Sequence, residues 1–172
     1  MLKLPAYFNL CRICLIALAL VSLNSTVTWA RDMEGRVGIG YNSEFANSYA
    51  NGYRLPGISL KYTVSRDIAL EGIIGIATTS PSNSVTAGKI FRNLFFEPNL
   101  NFYFMGGIGI INTNSIAGIE FLAGVGVEFF IPGAESLGFA METGASFDNG
   151  SGGYAIKTLG VSFLDAGIHF YF

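Results

Sequence analysis

Charge is scarce in this chain of 172 residues: only 13% of its side chains are charged, about half the share usual in a soluble domain. Cysteine occurs twice, at Cys11 and Cys14, and histidine once, at His169. A single histidine excludes a histidine-based metal cluster, and two cysteines so near the N-terminus exclude a disulfide framework. No run of about 20 apolar residues exists to form a membrane-spanning helix. A formal net charge of −2 gives nothing that would recruit nucleic acid by overall charge. Disorder is excluded by the opposite extreme, since 51% of residues are hydrophobic and the mean hydropathy is +0.46. In abundance are 22 glycines, 15 phenylalanines and 8 tyrosines, a composition of short turns, close packing and aromatic surfaces.

The first thirty residues have the layout of a secretory signal. Lys3 and Arg12 are cationic, Ile13–Leu23 is apolar but for Ser22, and Thr28-Trp29-Ala30 offers small residues around a cut after Ala30. That apolar stretch is too short for a hydrocarbon core about 30 Å thick, which favours a cleaved signal over an anchor. The expected organisation is a signal over 1–30 and one domain over 31–172. Cleavage would remove both cysteines, so the Cys11–Cys14 spacing is no redox or metal motif.

The dominant pattern beyond residue 35 is alternation with period two. In Ala117–Ile131 the odd positions are Ala, Ile, Phe, Ala, Val, Val, Phe and Ile; the even ones are Gly118, Glu120, Leu122, Gly124, Gly126, Glu128 and Phe130. A helix would smear that segregation around its circumference. The same alternation predicts strands at 35–43, 57–64, 68–78, 88–97, 101–112, 116–131, 136–147 and 155–172. The fourth is ambiguous in register, because apolar residues fall on both parities between Ile90 and Phe96. Tight turns at 65–67, 98–100 and 131–136 alternate with mostly longer connections at 44–56, 79–87 and 148–154. The predicted fold is therefore all-β, an eight-stranded antiparallel up-and-down barrel.

Which face points outward decides the setting. With the glycine-rich face outside, the surface would be nearly bare, and a narrow interior would have to hold every Phe, Ile and Val. With that face inside, glycine relieves crowding in a lumen just wide enough for side chains, and the bulky face meets lipid. A transmembrane barrel is the expectation. Aromatics near strand ends (Tyr41, Phe102, Phe104, Phe129, Phe147, Phe170 and Phe172) fall where interfacial girdles lie.

The chain ends Asp165-Ala-Gly-Ile-His-Phe-Tyr-Phe172. At Asp165, Gly167, Phe170 and Phe172 this resembles the C-terminal assembly signal of bacterial outer-membrane barrels. Together with the export signal and the strands, the whole of 31–172 resembles the small OmpA/OmpX-like class of eight-stranded barrels. The resemblance implies export through the inner membrane and insertion into the outer membrane by the barrel assembly machinery, which would recognise Phe170 and Phe172. The simpler alternative is that both rings are ordinary lipid-facing girdle residues. Lipid and lipopolysaccharide are the implied surroundings; the oligomeric state is not legible.

On the inward parity lie Arg36, Lys61, Glu71, Glu120, Glu128, Glu142, Lys157, Asp165 and His169, with Arg92 as a possible addition. Buried charges must be paired, so the expectation is an ion-pair network filling the lumen. The competing reading is a narrow channel for ions or small solutes. No catalytic, cofactor or metal residues are expected. A Ser-His-acid triad can be written with Ser146 or Ser162, His169 and Glu142, and some lipid A-modifying enzymes are barrels of this size. His169, however, falls near the C-terminal end on the lumen side. The glycine pairs in Gly35–Gly40 and Gly106–Gly109 resemble phosphate loops only superficially, since no helix follows them. Tyr49, Tyr53 and Arg54, in the first long loop, are the candidates for surface contacts. A soluble lipocalin-like carrier is the remaining alternative.

Overall fold

The computed structural model describes residues 33–43, 55–78, 82–113, 116–149, 153–159 and 165–172. Its strands are β1 (Val37–Asn42), β2 (Gly57–Thr63), β3 (Ile68–Ala77), β4 (Asn83–Glu97), β5 (Leu100–Thr113), β6 (Ile116–Ile131), β7 (Ala134–Asp148), β8 (Ala155–Thr158) and β9 (Asp165–Tyr171). Residues 1–30, where a signal is expected, and the candidate contact residues Tyr49, Tyr53 and Arg54 lie outside the described residues.

Every neighbouring pair is antiparallel. β1 to β7 pair in sequence, β9 joins β1 to β7, and β6–β7 pairing closes the ring. β8 and β9 occupy one position, on opposite halves of β7: β8 pairs with Ala145–Asp148, β9 with Leu137–Glu142. The result is a closed barrel of eight strand positions, in which β8 pairs along its β7 side among the described residues. The 14 to 16 residues of β4–β7 exceed the 9–11 or so that a tilted strand needs to cross a bilayer.

Tight turns gather at one end. Ser65 and Ile68 exchange backbone hydrogen bonds of 3.1 and 3.3 Å, Pro98-Asn99 joins β4 to β5, and Pro132-Gly133 joins β6 to β7. Gly133 has φ of 87°, a left-handed value that residues with a Cβ seldom adopt. Both described termini lie at this end. Phe172 N–H donates to Val37 O at 3.0 Å and Val37 N–H to Phe172 O at 3.3 Å, so the last residue pins the seam.

The alternation sorts side chains as strand geometry requires. In β6, Glu120, Leu122, Gly126, Glu128 and Phe130 point inward, while Ile119 and Phe121 stand exposed outside. The outer wall is a continuous apolar surface, with Ile58, Leu60, Ile74, Ile76, Ile110 and Phe104 each more than half exposed. An exposed apolar surface of that extent is foreign to a soluble monomer.

Three details differ from the sequence expectation. β4 starts at Asn83 rather than 88, because Asn83, Val85 and Ala87 alternate inward against polar Ser84 and Thr86. The connection expected at 79–87 is correspondingly shorter. The ambiguous register of β4 has a physical cause: a bulge between Asn93 and Phe95 switches parity, so Phe91 is buried and Phe95 is 67% exposed. Arg92 lies on the outward parity of β4 and is not in the lumen.

Candidate functional site

The lumen is a stack of layers. Toward the loop end Leu55, Ile73, Val85, Ile111 and Leu159 form an apolar cluster that continues down to Phe91, Tyr103 and Met105. At the turn end Met33, Phe130 and Tyr171 form a second cluster. Between them lies a layer of ionisable side chains from β2, β3, β4, β6, β7 and β9.

Two glutamates are held in the same way. Glu128 Oε2 accepts from Lys61 Nζ at 2.9 Å, and Glu128 Oε1 from the Tyr171 hydroxyl at 2.6 Å. Glu142 Oε2 accepts from Lys89 Nζ at 2.9 Å, and Glu142 Oε1 from the Tyr103 hydroxyl at 2.6 Å. Each carboxylate thus spreads its charge over one ammonium and one phenol, short charge-assisted bonds of the strong kind. Lys89 also approaches Glu71 Oε2 at 3.3 Å. Both lysines lie over the Phe91 ring, Nζ being 4.4 Å (Lys61) and 4.9 Å (Lys89) from its centroid, so the aromatic face adds cation–π attraction in a desolvated site.

His169 links the two halves. Its Nε2 lies 2.8 Å from Ser59 Oγ and 3.0 Å from Glu71 Oε1, and its Nδ1 lies 3.7 Å from Glu128 Oε1. The serine beside His169 is therefore Ser59; Ser146 points into the lumen elsewhere, and Ser162 lies outside the described residues. Ser59 and His169 are 1% and 2% exposed. A group that buried, whose Nε2 also faces a carboxylate, has no room for a substrate.

Glycine makes this packing possible. A Cβ on Gly40 would fall 2.3 Å from His169 Cδ2, and one on Gly38 would fall 2.7 Å from Tyr171 Cε1. The bare positions of β1 are the seats of the rings of β9.

The remaining charges sit outside this cluster. Lys157 is 28% exposed and bonds Asp148 at 2.5 Å. Glu120 is fully buried, across the ladder from Asp148. Asp165 is buried across from Glu142 and accepts from Ser43 Oγ at 3.0 Å. Arg36 is half-buried beside the turn-end cluster. The central residue that sequence reasoning missed is Lys89. Its inward parity with Phe91 was the available signal, hidden by the bulge beyond. Of the C-terminal motif, Asp165 and Gly167 face inward, while Phe170 and Phe172 face outward at 52% and 64% exposure, their centroids 6.0 Å apart.

Among solved structures, the N-terminal β-barrel domain of Pseudomonas aeruginosa OprF superposes with a TM-score of 0.58 at 16% identity, covering 83% of this chain and 100% of that one. Ail, the attachment invasion locus protein of Yersinia pestis, matches with a TM-score of 0.39 at 12% identity, over 81% of this chain and 100% of that one. No protein-family model and no curated protein sequence matches. The likeness to the OprF domain is one of fold: this chain is a small eight-stranded antiparallel barrel.

Proposed function

We propose that the chain is an integral protein of the bacterial outer membrane with a sealed lumen and a structural or surface-interaction role, neither a conduit nor an enzyme. The observation that carries this reading is the layered interior. Lys61 and Lys89 are already committed to Glu128, Glu142 and Glu71, and apolar clusters lie at both ends. An ion crossing would have to displace these pairs and shed its water against Phe91 and Phe130, at a desolvation cost of several kcal/mol per ion. The apolar outer wall, the export signal over 1–30 and the C-terminal Asp165-Gly167-Phe170-Phe172 pattern support the location.

In this reading residues 31–172 are the mature barrel, inserted by the assembly machinery with lipid and lipopolysaccharide around it. The turn end faces the periplasm, and the loop carrying Tyr49, Tyr53 and Arg54 faces outside, where those side chains meet a partner. Planar-bilayer recording with the refolded barrel tests the sealed lumen. The expected result is silence from bilayers shown by protease protection to contain folded protein. Discrete conductance steps would overturn it in favour of a narrow channel.

A further inference from the structure

The outer wall is not uniformly bulky. Gly72, Gly88 and Gly106 point outward on β3, β4 and β5, and Gly72 and Gly88 are cross-strand partners. A Cβ on Gly72 would meet nothing within 4 Å, and one on Gly88 or Gly106 only a carbonyl oxygen at 3.9 Å. Gly88 and Gly106 floor an open groove of about 550 Å³ walled by Leu70, Ile90, Ile108 and Phe121. It adjoins a second hollow of about 620 Å³ that takes in Gly72.

A charge lies just beyond the turnward end of this groove, one outward position past Ile90. Along β4 the outward row runs Ser84, Thr86, Gly88, Ile90 and then Arg92. Arg92 is exposed and has no carboxylate within ion-pair distance among the described residues. It is four residues turnward of Gly88, about 13 Å along the strand at 3.3 Å per residue. Arg66 sits on the adjoining turn, where Asn93 Nδ2 donates to its carbonyl oxygen at 2.9 Å and its guanidinium lies 4.5 Å from the Phe96 centroid. An arginine on a lipid-facing wall belongs at the interface with a counter-anion, and such a residue marks a functional position by default.

We propose that this groove and Arg92 form a site for one glycerophospholipid of the turn-side leaflet. An acyl chain lies over Gly88 and Gly106, and the phosphodiester accepts hydrogen bonds from the Arg92 guanidinium. The planar fork of arginine matches phosphate oxygens. A second copy of the chain is the poorer occupant, since an isologous contact would bring in the same arginine without a countercharge. The inference rests on the reading that the outer wall faces lipid.

Native mass spectrometry of the full chain, released from detergent micelles with added dioleoyl phosphatidylglycerol, tests it. Dioleoylglycerol, with the same chains and no phosphate, is the comparison. One phosphatidylglycerol is expected to stay bound, with retention of dioleoylglycerol about tenfold lower, the size of one charge-assisted contact. Arg92→Gln should lower retention by a similar factor. Gly88→Leu should do so by filling the groove, and its gel mobility without boiling should stay that of the folded barrel because a Cβ has space there. Wild-type retention in both variants, or equal retention of the two lipids, overturns the site while leaving the membrane reading intact. A dimer mass abolished by both variants overturns it in favour of self-association. Recovery of the wild-type chain in the aqueous periplasmic fraction overturns both readings together.

Discussion

Replacing Lys89 with methionine removes the cation that two buried carboxylates share. Lys89 Nζ lies 2.9 Å from Glu142 and 3.3 Å from Glu71, and its side chain is wholly buried. Methionine keeps much of the stem's volume, so the change is chiefly one of charge. Breaking a buried pair by deleting one partner costs about 3–5 kcal/mol, because the surviving charge stays desolvated. Here two survive. Tyr103 still donates to Glu142, and His169 still faces Glu71, which holds the expected loss near that range instead of doubling it. A loss of about 3 kcal/mol changes the folding equilibrium by more than a hundredfold. The barrel is refolded in detergent micelles and unfolded with urea, followed by far-ultraviolet circular dichroism, since the chain's one tryptophan, Trp29, falls in the segment that the proposed reading removes as a signal. Adding Glu71→Gln and Glu142→Gln to Lys89→Met should recover most of the loss, since removing a whole buried ion group is often close to neutral. A Lys89→Met barrel within about 1 kcal/mol of wild type would refute the reasoning. So would a triple variant no more stable than the single one.

Three further outcomes follow from named contacts. Gly40→Val should give no folded band on unboiled gels, because its Cβ would meet His169 Cδ2 at 2.3 Å and Ile168 O at 2.2 Å; Gly72→Ala, with nothing within 4 Å, should fold normally, and equal folding of both would contradict the seat role. Tyr171→Phe, which deletes the 2.6 Å bond to Glu128, should cost about 1.5–3 kcal/mol in urea titrations, as expected for a hydrogen bond to a charged group; no measurable change would count against the network. Phe172→Ala keeps both backbone bonds to Val37 and removes only the ring, so it should reduce folded protein in the outer membrane far more than Phe139→Ala does; equal losses would make Phe172 ordinary lipid-facing surface.

The barrel was legible because period two reports directly on a two-faced strand. β6 and β9 show it residue by residue, and Gly118, Gly124 and Gly126 opposite Ile119 and Val125 already indicated which face is crowded. The fourth strand was not, for two physical reasons. A bulge at Asn93/Phe95 exchanges the faces within one run, and the start at Asn83 is polar on its outward side near the loops. Lys89 was lost with it. Parity placed Lys61, Glu71, Glu128, Glu142 and His169 on the inner face. It could not say that Tyr103 and Tyr171 would each serve one glutamate, because that depends on stagger around the closed ring, which no single strand encodes. Nor could it foresee Ser59 as the neighbour of His169, 110 residues away.

The reading that the apolar outer wall faces lipid is tested most directly by membrane fractionation read on an unboiled gel. Cells expressing the chain are lysed, the envelope is washed with urea or carbonate, and each fraction is run with and without heating. The chain is expected in the outer-membrane fraction, resistant to the wash, as a compact band that shifts mobility only on boiling. Recovery in the aqueous periplasmic fraction, or release by the wash with no heat-dependent shift, would contradict a barrel whose Ile, Leu and Phe face lipid.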